Sequence, residues 1–412
     1  MTRHLAGIVD LPYVTPAGRL VTRVGYDPET RLYLDAPMDW GCGAPDRIGP
    51  GDVRAAMRVL IEPFAAYCFT DAGSVGGMLS SIFATVSRPV LDTCPAIAID
   101  ASTQGSGKTK IALSLGAMMM GRLVGVTPFA GASTDDEMRK RMVAGAICGD
   151  RFHCVDNIVG HLKSSALAAV LTSGRLTDRV LGVSRTAEVD VRALIVLSGN
   201  NMSIDADLQR RSVHVRLDGG SAPTRRAFAF DPVSVALAQR RRIADAVCTV
   251  QLAYFAAGAP NVVQGDAGGF AGWNRLCRQP VLWLAREGYA DALPWREVGD
   301  PAASMLADPA DSDPEIEALG DMLTALWALT EGRDFSSSEA LAWHTQGRDL
   351  DGAPGDLRSA VLELVGSAWK QEPSARSIGR VLMNRRDRVV GGLKLLARGG
   401  GRLKSWRVVI VE

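Results

Sequence analysis

The stretch ASTQGSGKTK, from Ala101 to Lys110, puts a lysine and a hydroxyl residue at the end of a glycine-containing turn. It follows an apolar run that ends at Asp100, and it opens a helical pattern. A strand, a Gly-rich turn and a helix N-terminus in that order make a phosphate cradle. Backbone N–H groups and the positive end of the helix converge there on one anion. Gly105 and Gly107 supply positive φ and close backbone approach. In this reading Ser102, Thr103, Gln104, Gly105, Ser106 and Gly107 wrap the phosphates of ATP. Lys108 reaches the β- and γ-phosphates, and Thr109 holds Mg²⁺ through its hydroxyl. The general pattern G-x-x-x-x-G-K-[ST] has a glycine where this chain has Ser102.

Other polar residues stand at the ends of apolar runs. RFHCVDN, residues 151–157, reads as a strand that delivers Asp156 to its C-terminal end, where an acid can hold Mg²⁺ through water. Asn157 comes next, where a glutamate base would polarise the attacking water. An amide cannot take a proton, so hydrolysis is expected to be slow or to use another group. Glu137, in STDDEMRKR, is the alternative base, although Asp135, Asp136 and Glu137 are more simply first-turn acids that favour the helix dipole. ALIVLSGNN ends in Asn200 and Asn201. An amide at that tip can contact the γ-phosphate or the attacking water, though Gly-Asn-Asn is also turn chemistry. DADLQRRSVHVRLD brings Arg210 and Arg211 just ahead of another strand. One of them, with Arg211 favoured, can serve as an arginine finger to the γ-phosphate of a neighbouring subunit.

These residues need a parallel sheet to position them. Apolar runs around 97–100, 124–129, 151–156, 193–198 and 213–218 alternate with helical patterns at 108–121, 134–148, 161–172 and 205–211. Short apolar runs separated by helices imply an α/β fold whose sheet is covered on both faces. Before it, LVTRVGYDPETRLYLDA reads as a hairpin around Asp27-Pro28-Glu29, and 52–70 and 74–88 read as helices, the first interrupted by Pro63. Long helices are expected at 232–257 and 267–287. The boundaries are 1–90 for an N-terminal hairpin and helical region and 91–297 for the nucleotide core with a helical lid. A polar linker at 298–314 and a small domain at 315–412 complete the chain.

Composition narrows the function classes. The 412 residues are 47% hydrophobic and 22% charged, which is ordinary for a chain of two or three domains. Net charge is +1, so the chain is not uniformly basic. Seven scattered cysteines without a CxxC read as free thiols of a reducing cytoplasm, in a bacterium or in the host of a phage. Five dispersed histidines give no zinc spacing. The apolar run 111–120 is too short to span a bilayer, and MTRHLAGIVDLP lacks the apolar stretch of a secretion signal. Only seven of the 46 basic residues are lysine, so a lysine kept at 108 is informative.

Lys108, Asp156, Asn200 and Arg211 follow one another at spacings of 48, 44 and 11 residues. That order, with GYDPETRLYLD, GSGKT, CVDN, TDRVLG, SGNN and DLQRRSVHVRLD, resembles the AAA+ ATPases of helicase superfamily 3. It is most similar to the helicase modules of phage and mobile-element primase–helicases. The resemblance covers roughly residues 7–288 and is specific in 100–218. It implies a homohexameric ring with ATP at subunit interfaces and 3′-to-5′ travel on single-stranded DNA. It also implies a hairpin between the Asp strand and the Asn strand with a basic tip in the central channel. RVLGVSRTAEVDV, 179–191, fits that hairpin, with Arg185 near its tip. Ser102, Asn157 and the lack of a primase domain depart from the pattern. The first two put the rate of hydrolysis in question, and the last points to a separate primase as partner.

The C-terminal domain carries its own signal. From Ser374 to Arg407 there are ten basic residues and one acid, Asp387. They fall on a helix at 376–386 and on a hairpin with strands 388–397 and 403–411 turned by Gly399-Gly400-Gly401. A basic helix followed by a hairpin is the winged-helix plan. Arg376, Arg380, Arg385 and Arg386 would then meet duplex DNA from the helix and Lys404 from the wing. Trp406 reads as hairpin core. The functional expectation is an ATP-driven DNA helicase or translocase in phage or mobile-element replication. The alternative is an ATP-switched initiator or loader with weak hydrolysis, which Asn157 favours slightly.

Overall fold

The computed structural model describes residues 4–36, 48–101, 105–129, 135–158, 161–179, 186–200, 202–217, 230–265, 267–295, 297–307 and 314–346. It further describes 357, 360, 361, 364, 373–398 and 405–411. The chain divides into two units, Met1–Leu306 and Ala307–Glu412.

The first unit is built on five parallel strands: β6 (Ala96–Ala101), β7 (Thr127–Pro128), β8 (Phe152–Ile158), β12 (Leu194–Asn200) and β14 (Ser212–Leu217). Their order across the sheet is β14-β6-β12-β8-β7. All six residues of β6 are buried, because helices cover both faces and the central strand cannot alternate. Shorter ribbons lie outside this sheet. In the N-terminal region β1 (Gly7–Val9) runs parallel to β5 (Leu32–Leu34), β4 (Gly25–Tyr26) runs antiparallel to β5, and β2 (Tyr13–Val14) pairs β3 (Leu20–Val21). Asp27 makes the expected turn. Its carboxylate accepts from the N–H and hydroxyl of Thr30 and pairs Arg19 at 2.8 Å.

Helices α1 (Pro50–Ile61) and α2 (Ala72–Ser87) follow. Asp52 caps α1 by accepting from Gly49 N at 2.8 Å, and Pro63 ends it early, since proline cannot continue the backbone ladder. Asp71 caps α2 through Ser74 N at 2.7 Å. A Cβ on Gly77 would sit 2.8 Å from His214 O, so only glycine lets α2 lie this close to β14. The nucleotide region adds α3 (Lys108–Met120), α4 (Asp135–Ile147), α5 (Ser165–Ser173) and the short α6 (Ala206–Gln209). Helices α7 (Pro232–Ala238) and α8 (Arg240–Ala256), then a helical run through 271–286, complete the unit.

Several expectations change. The helix expected over 161–172 is a two-residue strand, β9 (His161–Leu162), then α5 capped by Ser164. β9 pairs β13 (Ser203–Ile204), a contact 42 residues away that local periodicity cannot carry. The long helix over 232–257 breaks at Gln239. The hairpin read at 179–191 consists of β10 (Arg175–Arg179) and β11 (Thr186–Asp190), so it starts earlier. The segment read as a linker from 298 is packed as far as Leu306. Gly299 N donates to Ala72 O at 2.7 Å, Ala302 is fully buried, and Asp300 pairs the buried Arg278 at 2.6 Å.

The second unit contains the helices Pro314–Thr330 and Ser337–Gln346, buried helical positions Leu357, Ala360, Val361 and Leu364, and the helix Ala375–Arg385. Its antiparallel sheet has the order β15 (Phe335–Ser336), β18 (Ser405–Ile410), β17 (Leu393–Arg398), β16 (Val389–Val390). The strand expected at 388–397 is interrupted at Gly391 and Gly392, whose φ of 57° and 73° turn the chain. Trp406 is 1% exposed and donates Nε1–H to Ser337 Oγ at 3.0 Å, in the unit's core. Among the described residues no helix is long and apolar enough to cross a membrane.

Candidate nucleotide site

The parallel strands deliver their C-terminal ends to one edge of the sheet. β6 ends at Ala101, level with Asn200 of β12, and α3 begins at Lys108. Gly105 and Gly107 have φ of 77° and 92°, in the left-handed region that favours glycine. A Cβ on Gly107 would lie 2.7 Å from the Tyr67 ring. Tyr67 itself donates its hydroxyl to Gly107 O at 3.4 Å and backs the turn from the N-terminal region.

Five side chains meet here. Lys108 Nζ donates to Asn200 Oδ1 at 2.6 Å and to Ser106 Oγ at 2.9 Å. Thr109 Oγ1 lies 3.2 Å from both carboxylate oxygens of Asp156. The strand order explains the meeting. β12 lies between β6 and β8, so Asn200 stands between the loop and Asp156. The pairing of β12 with β8 slips between Leu197 and Gly199, and Asn157 adopts φ of 60°, which Asn tolerates better than most residues. These residues line a cavity of about 560 Å³ that also takes in Gly105, Lys110 and Asn157.

Burial lowers the pKa of Lys108, and the carboxylates of Asp100 and Asp156 offset part of that. Burial raises Asp100, whose Oδ1 accepts from Met202 N at 3.0 Å. The cavity therefore presents a cation, an amide and a turn of backbone donors to an anion. It presents a hydroxyl facing a carboxylate to a hard divalent cation. Triphosphate and Mg²⁺ fit this set. Lys108, Ser106 and the glycine turn would hold the phosphates, and Thr109 and Asp156 would hold the metal.

Not every expected residue belongs to this cluster. Ser102, Thr103, Gln104, Arg185, Asn201 and Lys404 lie outside the described residues. Glu137 does not line the cavity and pairs Arg141 at 3.1 Å. Asp135 caps α5, accepting from Ser164 Oγ at 2.6 Å and Ala166 N at 3.1 Å. Arg210 and Arg211 precede β14, at the opposite edge of the sheet. Ala96 N, at the start of β6, donates to Arg211 O at 2.9 Å. Five strand steps separate that point from Ala101, which is roughly 17 Å. The pair cannot reach the loop of the same chain.

In the second unit Arg376, Arg380 and Arg386 are exposed. Arg385 is half-buried. Its Nη2 turns inward and donates to Leu364 O at 2.8 Å. Sequence reasoning missed Tyr67, and it missed the pairing of Lys110 with Asp231 at 2.9 Å that ties α3 to the start of α7.

Asp156→Asn is expected to keep nucleotide binding and to lose Mg²⁺-dependent turnover by on the order of 10- to 100-fold. Turnover at increasing Mg²⁺ checks this, and a near wild-type rate would remove Asp156 from the metal site.

No protein-family model matches the chain, and no curated protein sequence matches it. Among solved structures it is similar to the apo C-terminal region of NrS-1, at 11% identity over 98% of this chain and 84% of that one, with a TM-score of 0.38. It is also similar to the JCV helicase, at 13% identity over 59% of this chain and 73% of that one, with a TM-score of 0.28.

Proposed function

We propose that this chain is an ATP-driven DNA helicase or translocase that works as a homohexameric ring in the replication of a phage or mobile element. The observation that carries the reading is the contact of Lys108 Nζ with Asn200 Oδ1 at 2.6 Å, beside the Thr109–Asp156 pair. A lysine held against an amide at the tip of the neighbouring strand puts that amide where it can meet a γ-phosphate or the attacking water.

The chemistry assigned to this chain's residues follows from charge. Lys108 neutralises the β- and γ-phosphates as a point charge and, when they arrive, exchanges Asn200 Oδ1 for phosphate oxygen. Asn200 is then free to orient the attacking water. Bound Mg²⁺ supplies charge neutralisation across the phosphates. Arg211 cannot serve its own loop, and so it is assigned to a neighbour's site, which makes assembly a requirement for turnover. This reading includes an AAA+ core of the superfamily 3 type and a winged-helix-like second unit. Support for the latter is the basic helix Ala375–Arg385, preceded by helices and followed by the hairpin of β17 and β18.

The test is ATP-dependent unwinding of a forked duplex together with ATPase stimulation by single-stranded DNA. Neither activity in the assembled protein would sink the helicase reading. Asn157 lines the cavity and favours a second reading, an initiator or loader in which ATP drives assembly and hydrolysis is slow. That reading expects ATP-dependent rings on DNA with no strand separation.

Arg376 and Arg380 are four residues apart, on one exposed face of the basic helix. Replacing both by Ala is expected to lower duplex affinity and to reduce the slope of log affinity against log salt by about 2. An unchanged slope measured between 50 and 200 mM salt, roughly the range over which phosphate contacts register, would make the helix a solvated surface.

A further inference from the structure

Arg211 is held at two corners of its guanidinium. Nε donates to Thr172 Oγ1 at 2.8 Å, and Nη1 donates to Asp207 Oδ1 and to Asp207 O, each at 2.5 Å. The two anchors come from different elements, since Thr172 lies in the last turn of α5 and Asp207 lies in α6. Asp205 in turn caps α6, accepting from Asp207 N at 3.0 Å. A guanidinium is a rigid planar fork, so fixing Nε and Nη1 fixes the plane and aims the third nitrogen, Nη2.

Arg210 is treated differently. Among the described residues its one tether is Nη2 to the same Asp207 oxygen, and its side chain is 61% exposed against 20% for Arg211. One carboxylate shared by two guanidiniums leaves a net positive corner, which suits an arriving phosphate. Burial opposes the charge on Asp207, but the hydrogen bonds from Arg210 and Arg211 outweigh it and hold the carboxyl below its usual range. The corner lies at the sheet edge away from its own nucleotide cavity.

We propose that Asp207 and Thr172 are positioning residues for the arginine finger, aiming Arg211 Nη2 across the subunit boundary at the phosphates bound by a second copy of this chain. The proposal rests on the reading of Arg211 as a finger acting in trans. A finger that must be in place before the charge develops gains from being held, because ordering it is then not charged to the reacting state.

Thr172→Val, nearly isosteric and outside α6, and Asp207→Asn are each expected to lower kcat by on the order of 10-fold while KM and the affinity for an ATP analogue stay unchanged. Asp207→Glu, which restores the carboxylate, should recover part of the rate. The decisive measurement is complementation in mixed rings. A Lys108→Ala subunit has no working loop but keeps its finger, and so it should raise the turnover of each Asp207→Asn subunit beside it. A purely local role for Asp207 at its own loop would show no such rise. If Asp207→Asn fails to fold, the same mixture with Thr172→Val decides. Full rates in both single variants, or no complementation of either, would overturn the inference. Arg211→Ala is run alongside. If it is slow and is complemented by Lys108→Ala, the finger reading stands whatever happens to Asp207. If it turns over at the wild-type rate, the finger reading itself has failed.

Discussion

Lys108→Ala is expected to weaken ATP binding by about two orders of magnitude, roughly 3 kcal/mol, without unfolding the protein. The loss follows from removing a cation at the point where the β- and γ-phosphates would gather. The retained fold follows from the same geometry read in reverse. Lys108 is 7% exposed, and its burial disfavours the charged form. Its partners Ser106 and Asn200 both border the cavity, so water can replace the lost amine at each of them. Titration with a fluorescent ATP analogue reads the affinity, and thermal unfolding reads the fold. Unchanged affinity would mean that the loop is a glycine-rich turn and no more. A collapse of the unfolding midpoint would mean that the lysine serves structure instead.

The parallel sheet was legible because burial on both faces leaves no polar positions to blur an apolar run. Ala96–Ala101 and Leu194–Asn200 are the clearest cases. What was not legible depended on partners distant in sequence. The run at 124–129 shortens to Thr127–Pro128 because only those residues pair with β8. His161–Leu162 is a strand only because Ser203–Ile204 lies beside it. Residues 298–306 look like a linker by composition. They pack because Asp300 satisfies the buried Arg278 and Gly299 fits against α2, neither of which a composition count registers.

The site divides in the same way. Lys108 and Thr109 announce themselves in one contiguous motif, and Asp156 and Asn200 announce themselves by ending apolar strands. Tyr67 gave no such signal. It lies 40 residues before Gly107 and acts through a ring against a glycine Cα and a hydroxyl on a carbonyl. The basic helix shows how angle decides role. Arg376 and Arg380 share a face, whereas Arg385 is five residues further on, about 140° around from Arg380. It therefore points at Leu364 O inside the unit. A count of basic residues cannot make that distinction, but a helical wheel can.

Arg211→Ala is expected to leave ATP binding by each subunit intact and to remove most hydrolysis in the assembled state, by ~10³-fold or more if it acts as a finger. The separation of effects is geometric. Gly105 to Thr109, Asp156 and Asn200 line one cavity at the C-terminal edge of the sheet, while Arg211 stands at the other edge beside Ala96. If Arg211 is the finger, each site needs two subunits, which mixing tests. Mixing Arg211→Ala with Lys108→Ala subunits should restore part of the turnover that neither variant has alone, because a loop from the first then meets a finger from the second. Arg210→Ala is the control: with one tether and most of its surface in solvent, it should change the rate far less. No restoration on mixing would place the finger elsewhere. A large effect from Arg210→Ala with none from Arg211→Ala would exchange the two roles, and the anchoring of Arg211 by Thr172 and Asp207 would then serve the fold of α5 and α6 alone.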